Sequence, residues 1–132
     1  MTHKILTIAT FATLLVANFS SCKKDETDVE KPTIVVAEPL TNDTLSLSAD
    51  PEVHIEFTAT DNDGLHEVVV NVTNGSTNFY TNTKDVDNTT LNFHKHFIPT
   101  GITAVTPMTL TIDADDHTGN TISKSVIFYV KP

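Results

Sequence analysis

The chain has 132 residues, the size of one domain, and it carries 17 acidic residues against 8 basic ones, a net charge of -9. Every basic residue is a lysine, and an acidic chain without arginine argues against binding nucleic acid, whose phosphates are bound by clusters of Arg and Lys. The one cysteine excludes an internal disulfide, and no Cys/His spacing typical of structural zinc occurs.

The amino-terminal residues 1–21 have the order of a secretory signal peptide. Lys4 is followed by a mostly apolar stretch, residues 5–19, and then by the small residues Ser20 and Ser21. A membrane-spanning helix needs about 20 apolar residues, and this stretch is shorter and contains Thr7, Thr10, Thr13 and Asn18. We therefore predict export followed by cleavage, and a transmembrane anchor is the alternative.

Cys22 stands directly after this segment. The sequence Phe19-Ser20-Ser21-Cys22 resembles the lipobox of bacterial lipoproteins. The resemblance implies that Cys22 receives a diacylglyceryl group, that the chain is cleaved before it, and that the new amino terminus is acylated. Each buried methylene of an acyl chain contributes about 0.8 kcal/mol, so such chains can hold a soluble domain on a membrane. The alternative is an unmodified cysteine near an ordinary cleavage site.

A charged segment comes next in the chain. Lys23, Lys24, Asp25 and Glu26 resemble the surface-export signal of lipoproteins of the Bacteroidota. This resemblance implies a lipid-anchored protein of the outer membrane whose domain faces outward, and a periplasm-facing domain is the alternative. The same residues are also typical of a plain solvated linker. Because the segment is too polar to pack, we predict a flexible tether over residues 22–31.

The remaining residues, 32–132, predict an all-β domain. Short β-branched runs alternate with turn residues, and no stretch shows the period of a helix. In residues 53–60, VHIEFTAT, apolar and polar side chains alternate as in a half-buried strand. Asn74-Gly75 predicts a hairpin because both residues accept positive φ. The pattern favours an immunoglobulin-like antiparallel β-sandwich of about seven strands, at residues 33–38, 53–60, 65–72, 77–82, 90–97, 108–114 and 121–130.

Two stretches of this domain resemble bacterial immunoglobulin-like domains. FTATDNDGLHEVVVNV and LTIDADDHTGNTISKSVIFYV each contain an alanine-x-aspartate motif before a glycine-containing loop. The segment FHKHFIP, with His94 and His96, resembles the histidine-x-histidine segment of a Bacteroidota lipoprotein family of unknown function. That family tends to carry further histidines before this segment, and NGSTNFYTNTKDVDN has none. The resemblance implies an immunoglobulin-like domain behind a lipid anchor.

Three histidines form the first candidate metal site. The immunoglobulin-like strand order makes the strands at residues 53–60 and 90–97 antiparallel neighbours in one sheet. His54, near the start of the first strand, then lies close to His94 and His96, near the end of the second. The last two point the same way because they are two residues apart. Such imidazoles can bind Zn²⁺ or Cu²⁺, and the alternative is ordinary solvent-facing histidines.

An acidic group forms the second candidate site, at the opposite end of the domain. His66 and His117 lie beside it in the predicted arrangement. Ca²⁺ takes six to eight oxygen ligands, so clustered carboxylates can bind it. The alternative is that the aspartates serve the turns, since their side chains hydrogen-bond nearby backbone amides. The predicted ligands are Asp61, Asp63, Asp113, Asp115 and Asp116.

Catalytic signatures are absent from the sequence, which contains no GxSxG motif, no HExxH motif and no phosphate-binding glycine loop. We therefore expect a non-enzymatic module without a cofactor, which binds or supports an envelope protein or a glycan. Phe79 and Tyr80 could stack on a saccharide. Asp43-Thr44-Leu45 resembles the Bacteroidota O-glycosylation sequon, which implies modification of Thr44. The competing function is metal binding in the envelope, with Zn²⁺, Cu²⁺ or Ca²⁺.

Overall fold

The computed structural model describes residues 27–132. The predicted signal peptide, Cys22 and the export-signal residues 23–26 lie outside the described residues. Within residues 27–132 no helix occurs, and so none that could span a membrane. The described residues form eight strands: β1 (Thr33–Glu38), β2 (Thr44–Ser46), β3 (Val53–Thr60), β4 (Leu65–Asn74), β5 (Thr77–Asp85), β6 (Thr90–Phe97), β7 (Thr106–Asp116) and β8 (Thr121–Lys131).

The strands form two sheets that pack face to face. One sheet has the order β1-β3-β6, and the other has the order β2-β8-β7-β4-β5. β3 pairs antiparallel with β6, and β7 pairs antiparallel with both β4 and β8. This arrangement confirms the predicted immunoglobulin-like β-sandwich, including the adjacency of the strands that carry His54 and His96.

The sequence-based prediction of about seven antiparallel strands lacks β2. This strand has three residues and pairs parallel with the end of β8, Thr44 lying opposite Tyr129. Backbone hydrogen bonds on both sides of β2 secure it, from Tyr129 N–H to the Asp43 carbonyl at 2.8 Å and from Leu47 N–H to the Lys131 carbonyl at 2.9 Å. A strand of three residues is too short to show a recognisable alternation in sequence, and its pairing partner is a distant segment of the chain.

The predicted hairpin joins β4 and β5, with a different pair of residues in the loop. Asn74 pairs with Thr77, so the loop consists of Gly75 and Ser76 rather than Asn74 and Gly75. Gly75 has a φ of 55°, a conformation that glycine adopts without steric cost. β5 and β7 also extend beyond their predicted ends, to Asp85 and Asp116.

The core lies between the sheets and is filled by alternate side chains of the long strands. In β3 every second residue is buried, and in β7 the same alternation runs from Met108 to the strand end. Phe57 and Phe93 stack with ring centroids 4.7 Å apart. A chain that starts after Cys22 keeps the whole core, which consists of Ile34, Val53, Ile55, Phe57, Ala59, Leu65, Val68, Val70, Val72, Val86, Phe93, Met108, Leu110, Ile112, Ala114, Val126, Phe128 and Val130.

Replacing Phe57 by Ala should strongly destabilise the domain. Phe57 is 1% exposed, and removing a fully buried aromatic ring leaves a cavity that costs about 3–5 kcal/mol. Urea denaturation of residues 23–132 measures this loss. Val35→Ala is the matched control, because Val35 is 70% exposed and its truncation should change the free energy of unfolding by less than about 0.5 kcal/mol. Similar losses in the two variants would contradict the described packing.

Candidate metal-binding sites

Two aspartates continue the buried rows of the strands at one end of the sandwich. Asp61 follows Ala59 on the core-facing side of β3, and Asp116 follows Ala114 on the core-facing side of β7. Asp61 is 8% exposed and Asp116 is 2% exposed. β3 and β7 belong to different sheets, and β4, which follows β3, starts with Leu65 opposite Asp116. The fold therefore carries both carboxylates to the same end of the core.

The Asp61 carboxylate is satisfied on one oxygen only. Its Oδ1 accepts hydrogen bonds from the backbone N–H of Asp63 at 3.0 Å and of Gly64 at 2.9 Å. Gly64 has a φ of 125°, which permits this turn where a residue with a side chain would be strained. The second oxygen, Oδ2, is buried and has no hydrogen-bond partner. Buried polar oxygens normally have a hydrogen-bond partner, so Oδ2 is available for a ligand.

The Asp116 carboxylate has a full set of donors. Its Oδ1 accepts the backbone N–H of Thr118 and that of Asn120, both at 2.8 Å, and its Oδ2 accepts the Asn120 amide at 2.6 Å. Burial alone would raise the pKa of Asp116, but the hydrogen bonds from Asn120 and Thr118 outweigh it and lower the pKa from 3.8 to about 2. Asp116 is therefore ionised at neutral pH.

A third carboxylate reaches this end from the segment before β1. Asp28 Oδ1 accepts the Glu30 N–H at 3.0 Å and the Asn62 side-chain amide at 3.2 Å. The Asp28 carbonyl accepts the Thr118 hydroxyl at 3.3 Å and the Asn120 amide at 3.2 Å. Asp28 Oδ2, like Asp61 Oδ2, is buried without a hydrogen-bond partner. The last residues of the predicted tether are thus in contact with the domain.

Asp28, Asp61 and Asp116 converge on one point. Each offers a carboxylate oxygen, and the three oxygens lie within 4.8 Å of one another. An open cleft of about 320 Å³, lined in part by Asp28 and Asn62, lies beside them. Of the five aspartates predicted as cation ligands, the structure brings Asp61 and Asp116 into this group. Asp63, Asp113 and Asp115 lie outside it.

Asp115 belongs instead to a neighbouring pair of histidines. A bulge in β4 at His66 shifts the register against β7, so that Glu67 lies opposite Asp115. Asp115 then accepts the Glu67 N–H at 2.8 Å and lies 3.4 Å from His66 Nδ1. The His117 ring centroid is 5.2 Å from that of His66, and its Nε2 is 3.7 Å from the exposed Asp87. Asp113 is exposed on the outer side of β7.

The three histidines predicted as metal ligands lie at the opposite end of the sandwich. His54 of β3 pairs with His96 of β6, and their ring centroids are 5.7 Å apart. The His94 ring centroid is 6.2 Å from that of His54. The side chain of His54 is 36% exposed and that of His96 is 56% exposed. His94 is also exposed, so all three histidines are open to solvent on one face of the smaller sheet.

Two carboxylates complete this histidine group. His54 Nε2 lies 3.5 Å from Asp50 Oδ2, and His96 Nε2 lies 3.5 Å from Glu52 Oε1. Asp50, Glu52 and His54 each offer a ligand atom within 4.8 Å of the others. Two ligands of a tetrahedral zinc ion lie about 3.4 Å apart, so these spacings fit ligands of one ion as well as simple ion pairs.

A cleft of about 450 Å³ adjoins the histidine group. Asp50, Glu52 and His54 form part of its lining, and Asp43 and Thr44 form another part. Thr44, the predicted glycosylation residue, is exposed on β2. The Asp43 carboxylate accepts the Leu40 N–H at 2.7 Å, so the residues of the sequon also shape this turn.

The aromatic pair on β5 is partly buried. Phe79 and Tyr80 pack against the core, and the Tyr80 ring stacks on that of Phe97 with centroids 5.3 Å apart. The Tyr80 hydroxyl is buried without a hydrogen-bond partner, and burial raises its pKa. Tyr80 therefore links the edge of one sheet to the edge of the other.

Comparison with known proteins supports the fold. No model of a protein family matches the chain, and no curated protein matches it. A solved structure that is similar to this chain contains fibronectin(III)-like modules of Clostridium thermocellum CbhA. The two chains are 16% identical, the match covers 75% of this chain and 96% of that chain, and the TM-score is 0.50. The chain therefore has an immunoglobulin-like β-sandwich fold, similar to that of these fibronectin(III)-like modules.

Sequence reasoning missed three carboxylates of these groups: Asp28, Asp50 and Glu52. Asp28 was part of the predicted tether, and the polar composition of that segment does not indicate that one of its residues contacts the domain. Asp50 and Glu52 lie just before β3, so their distance to His54 could have been inferred from the chain. The proximity of Glu52 to His96 depends on the pairing of β3 with β6.

Because of Asp116, the free energy of unfolding should depend on pH in the acidic range. Its lowered pKa stabilises the folded state above pH 3.8, and this contribution is lost as the pH falls toward about 2. Urea unfolding of residues 23–132 in chelator should therefore show a free energy of unfolding that falls across this range. When the wild type unfolds near pH 3, Asp116 should take up close to one proton, and Asp116→Asn should remove this uptake. The exposed control Asp113→Asn should keep the wild-type slope, and an unchanged slope in Asp116→Asn would contradict the assignment.

Proposed function

We propose that the chain is a lipid-anchored lipoprotein of the bacterial outer membrane, similar to lipoproteins of the Bacteroidota. Its domain would act as a non-catalytic module that binds or supports another component of the cell envelope. The observation that carries this proposal is a lipobox-like cysteine, Cys22, placed ahead of a fibronectin III-like sandwich whose first strand begins at Thr33. Acyl chains on Cys22 would provide the membrane affinity, so the domain itself would not need to bind the membrane.

The connection between anchor and domain determines which end a partner would reach. β1 begins with Thr33 opposite Thr60, so the chain enters at the Asp61 end of the sandwich. The opposite end carries His54, His96 and the cleft beside them. If Cys22 is the anchor, that end would lie farthest from the membrane, and we expect envelope proteins or glycans to bind there.

Among residues 27–132 no serine or threonine hydroxyl is hydrogen-bonded to a histidine ring, which is the contact that activates such a nucleophile. The histidines that form close polar contacts there have carboxylate partners. The fibronectin III-like fold also favours a binding or spacer role.

Cys22→Ala should abolish lipidation. In a Bacteroidota host, the wild-type chain should incorporate labelled palmitate and separate with the outer membrane on a density gradient. The variant should lose both the label and that location, because its thioether cannot form. Ser20→Ala is the matched control, since it changes the same segment and keeps the thiol. Palmitate labelling and outer-membrane retention of Cys22→Ala would contradict the proposal, and protease treatment of intact cells reports whether the domain faces outward.

One observation favours a second function, the binding of a transition metal in the envelope. Imidazole and carboxylate ligands meet at the end of the sandwich opposite to Asp61, with both histidine-carboxylate distances at 3.5 Å. Asp50, Glu52 and His54 offer ligand atoms within 4.8 Å of one another, and His96 lies beside Glu52, so the site has the nitrogen and oxygen donors that Zn²⁺ and Cu²⁺ accept. Its exposure would allow exchange of the ion with a partner protein.

The double variant His54→Ala/His96→Ala tests this second function. In residues 23–132, Zn²⁺ at 100 times its dissociation constant should stabilise the wild type by about 2.7 kcal/mol, and thermal unfolding should show no such shift in the variant. His66→Ala/His117→Ala is the matched control, because it removes a similar pair at the other end. A shift that disappears in the control, or no shift in the wild type, would exclude the proposed site.

A further inference from the structure

Three carboxylates meet at the entry end of the sandwich without a positive charge beside them. The ion pairs found among residues 27–132 each join a histidine to a carboxylate, and none includes Asp28, Asp61 or Asp116. The Oδ2 atoms of Asp28 and Asp61 are buried and unpartnered, and Asp61 is only 8% exposed. An ionised oxygen taken out of water needs a donor or a cation to offset the lost hydration.

We propose that Asp28, Asp61 and Asp116 bind one hard divalent cation, calcium by its ligand chemistry. Two ligands of a calcium ion are at most about 4.8 Å apart, because each lies about 2.4 Å from the ion. The three carboxylate oxygens fall within 4.8 Å of one another, which is the spacing expected of ligands that share one ion. An ion bound by these carboxylates would offset the lost hydration of Asp28 and Asp61, each of which has a buried oxygen without a hydrogen-bond partner.

The donor set selects the kind of ion. Every side-chain ligand is a carboxylate, which suits Ca²⁺ and Mg²⁺ rather than the softer metals that prefer nitrogen and sulfur. Mg²⁺ demands a near-ideal octahedron and releases its water reluctantly. Ca²⁺ accepts irregular geometry, and water in the cleft beside Asp28 and Asn62 can supply its remaining ligands. We therefore assign the site to calcium.

The proposed ion would fasten the segment before β1 to the body of the domain. Asp61 and Asp116 come from the ends of the two sheets, whereas Asp28 comes from the chain between Cys22 and β1. Binding would hold Asp28 against both sheets and so set the direction in which the domain leaves its anchor. This last consequence rests on the proposed lipidation of Cys22, whereas the ion site itself does not.

Thermal unfolding of residues 23–132, first in chelator and then in Ca²⁺, tests the site. At 100 times the dissociation constant, Ca²⁺ should raise the Tm of the wild type by about 10 °C. Asp61→Asn and Asp28→Asn should each lose most of this shift, because each removes a charged ligand. Asp28 lies outside every strand, so its variant keeps the fold. In chelator, Asp61→Asn should be at least as stable as the wild type, since it removes one of three like charges.

Asp113→Asn is the matched control, an exposed aspartate of β7 outside the group, and it should keep the full calcium shift. The proposal is overturned if Ca²⁺ leaves the wild-type Tm unchanged, or if the shift persists in both ligand variants. An equal shift with Mg²⁺ at the same concentration would overturn the assignment to calcium. Because residues 23–132 lack Cys22, none of these results depends on the lipid anchor.

Hydrogen exchange tests the fastening of the tether separately. The Glu30 N–H donates to Asp28 Oδ1, so its exchange reports whether Asp28 is held in place. Ca²⁺ should slow that exchange at least about tenfold in the wild type and leave it unchanged in Asp28→Asn. A calcium-dependent Tm with unaltered Glu30 exchange would overturn the proposed role of Asp28.

Discussion

The buried side chains of β3 and β7 face each other between the two sheets, and their strict alternation decides what lies at either end of the core. The inward rows contain Ile55 and Phe57 on one side and Leu110 and Ile112 on the other. Burial of these apolar surfaces is the main source of stability. Asp61 lies two residues after the buried Ala59, so the same alternation places its side chain in the buried layer at the strand end. Carboxylates would not otherwise be expected there. The packing that stabilises the fold therefore also brings the carboxylates of Asp61 and Asp116 to one end of the core.

The two ends of the sandwich have different chemistry for this reason. At the entry end the carboxylates are buried, receive backbone hydrogen bonds, and in part lack any donor. At the far end the imidazoles of His54 and His96 stand on the outer face of the smaller sheet, with exposed carboxylates beside them. Buried oxygens favour a hard cation with a structural role, whereas exposed nitrogen and oxygen donors favour an exchangeable ion or an ordinary ion pair.

The candidate sites were predictable to unequal degrees. The grouping of His54 with His96 followed from the immunoglobulin-like strand order, since that order makes β3 and β6 neighbours. The acidic group was predicted at the end of the domain where it lies, but the prediction also included Asp63, Asp113 and Asp115, which are outside the group. Extending the alternation of β3 and β7 by one step would have separated Asp61 and Asp116, which face inward, from Asp113, which is exposed. No such pattern exists for Asp28, because its contact is made by a segment without secondary structure.

The sequence by itself determined the all-β class and most strand positions, because period-two alternation and turn residues are local properties of the chain. The proximity of the histidine strands followed from the immunoglobulin-like strand order that this pattern indicates. Only the tertiary structure decided that β2 pairs with β8, that Glu52 lies beside His96, and that Asp28 joins the aspartates of two different sheets. These contacts join residues far apart in sequence, and they arise when the two sheets close over a common core. No local pattern encodes them, because their geometry exists only after the strands have paired and packed.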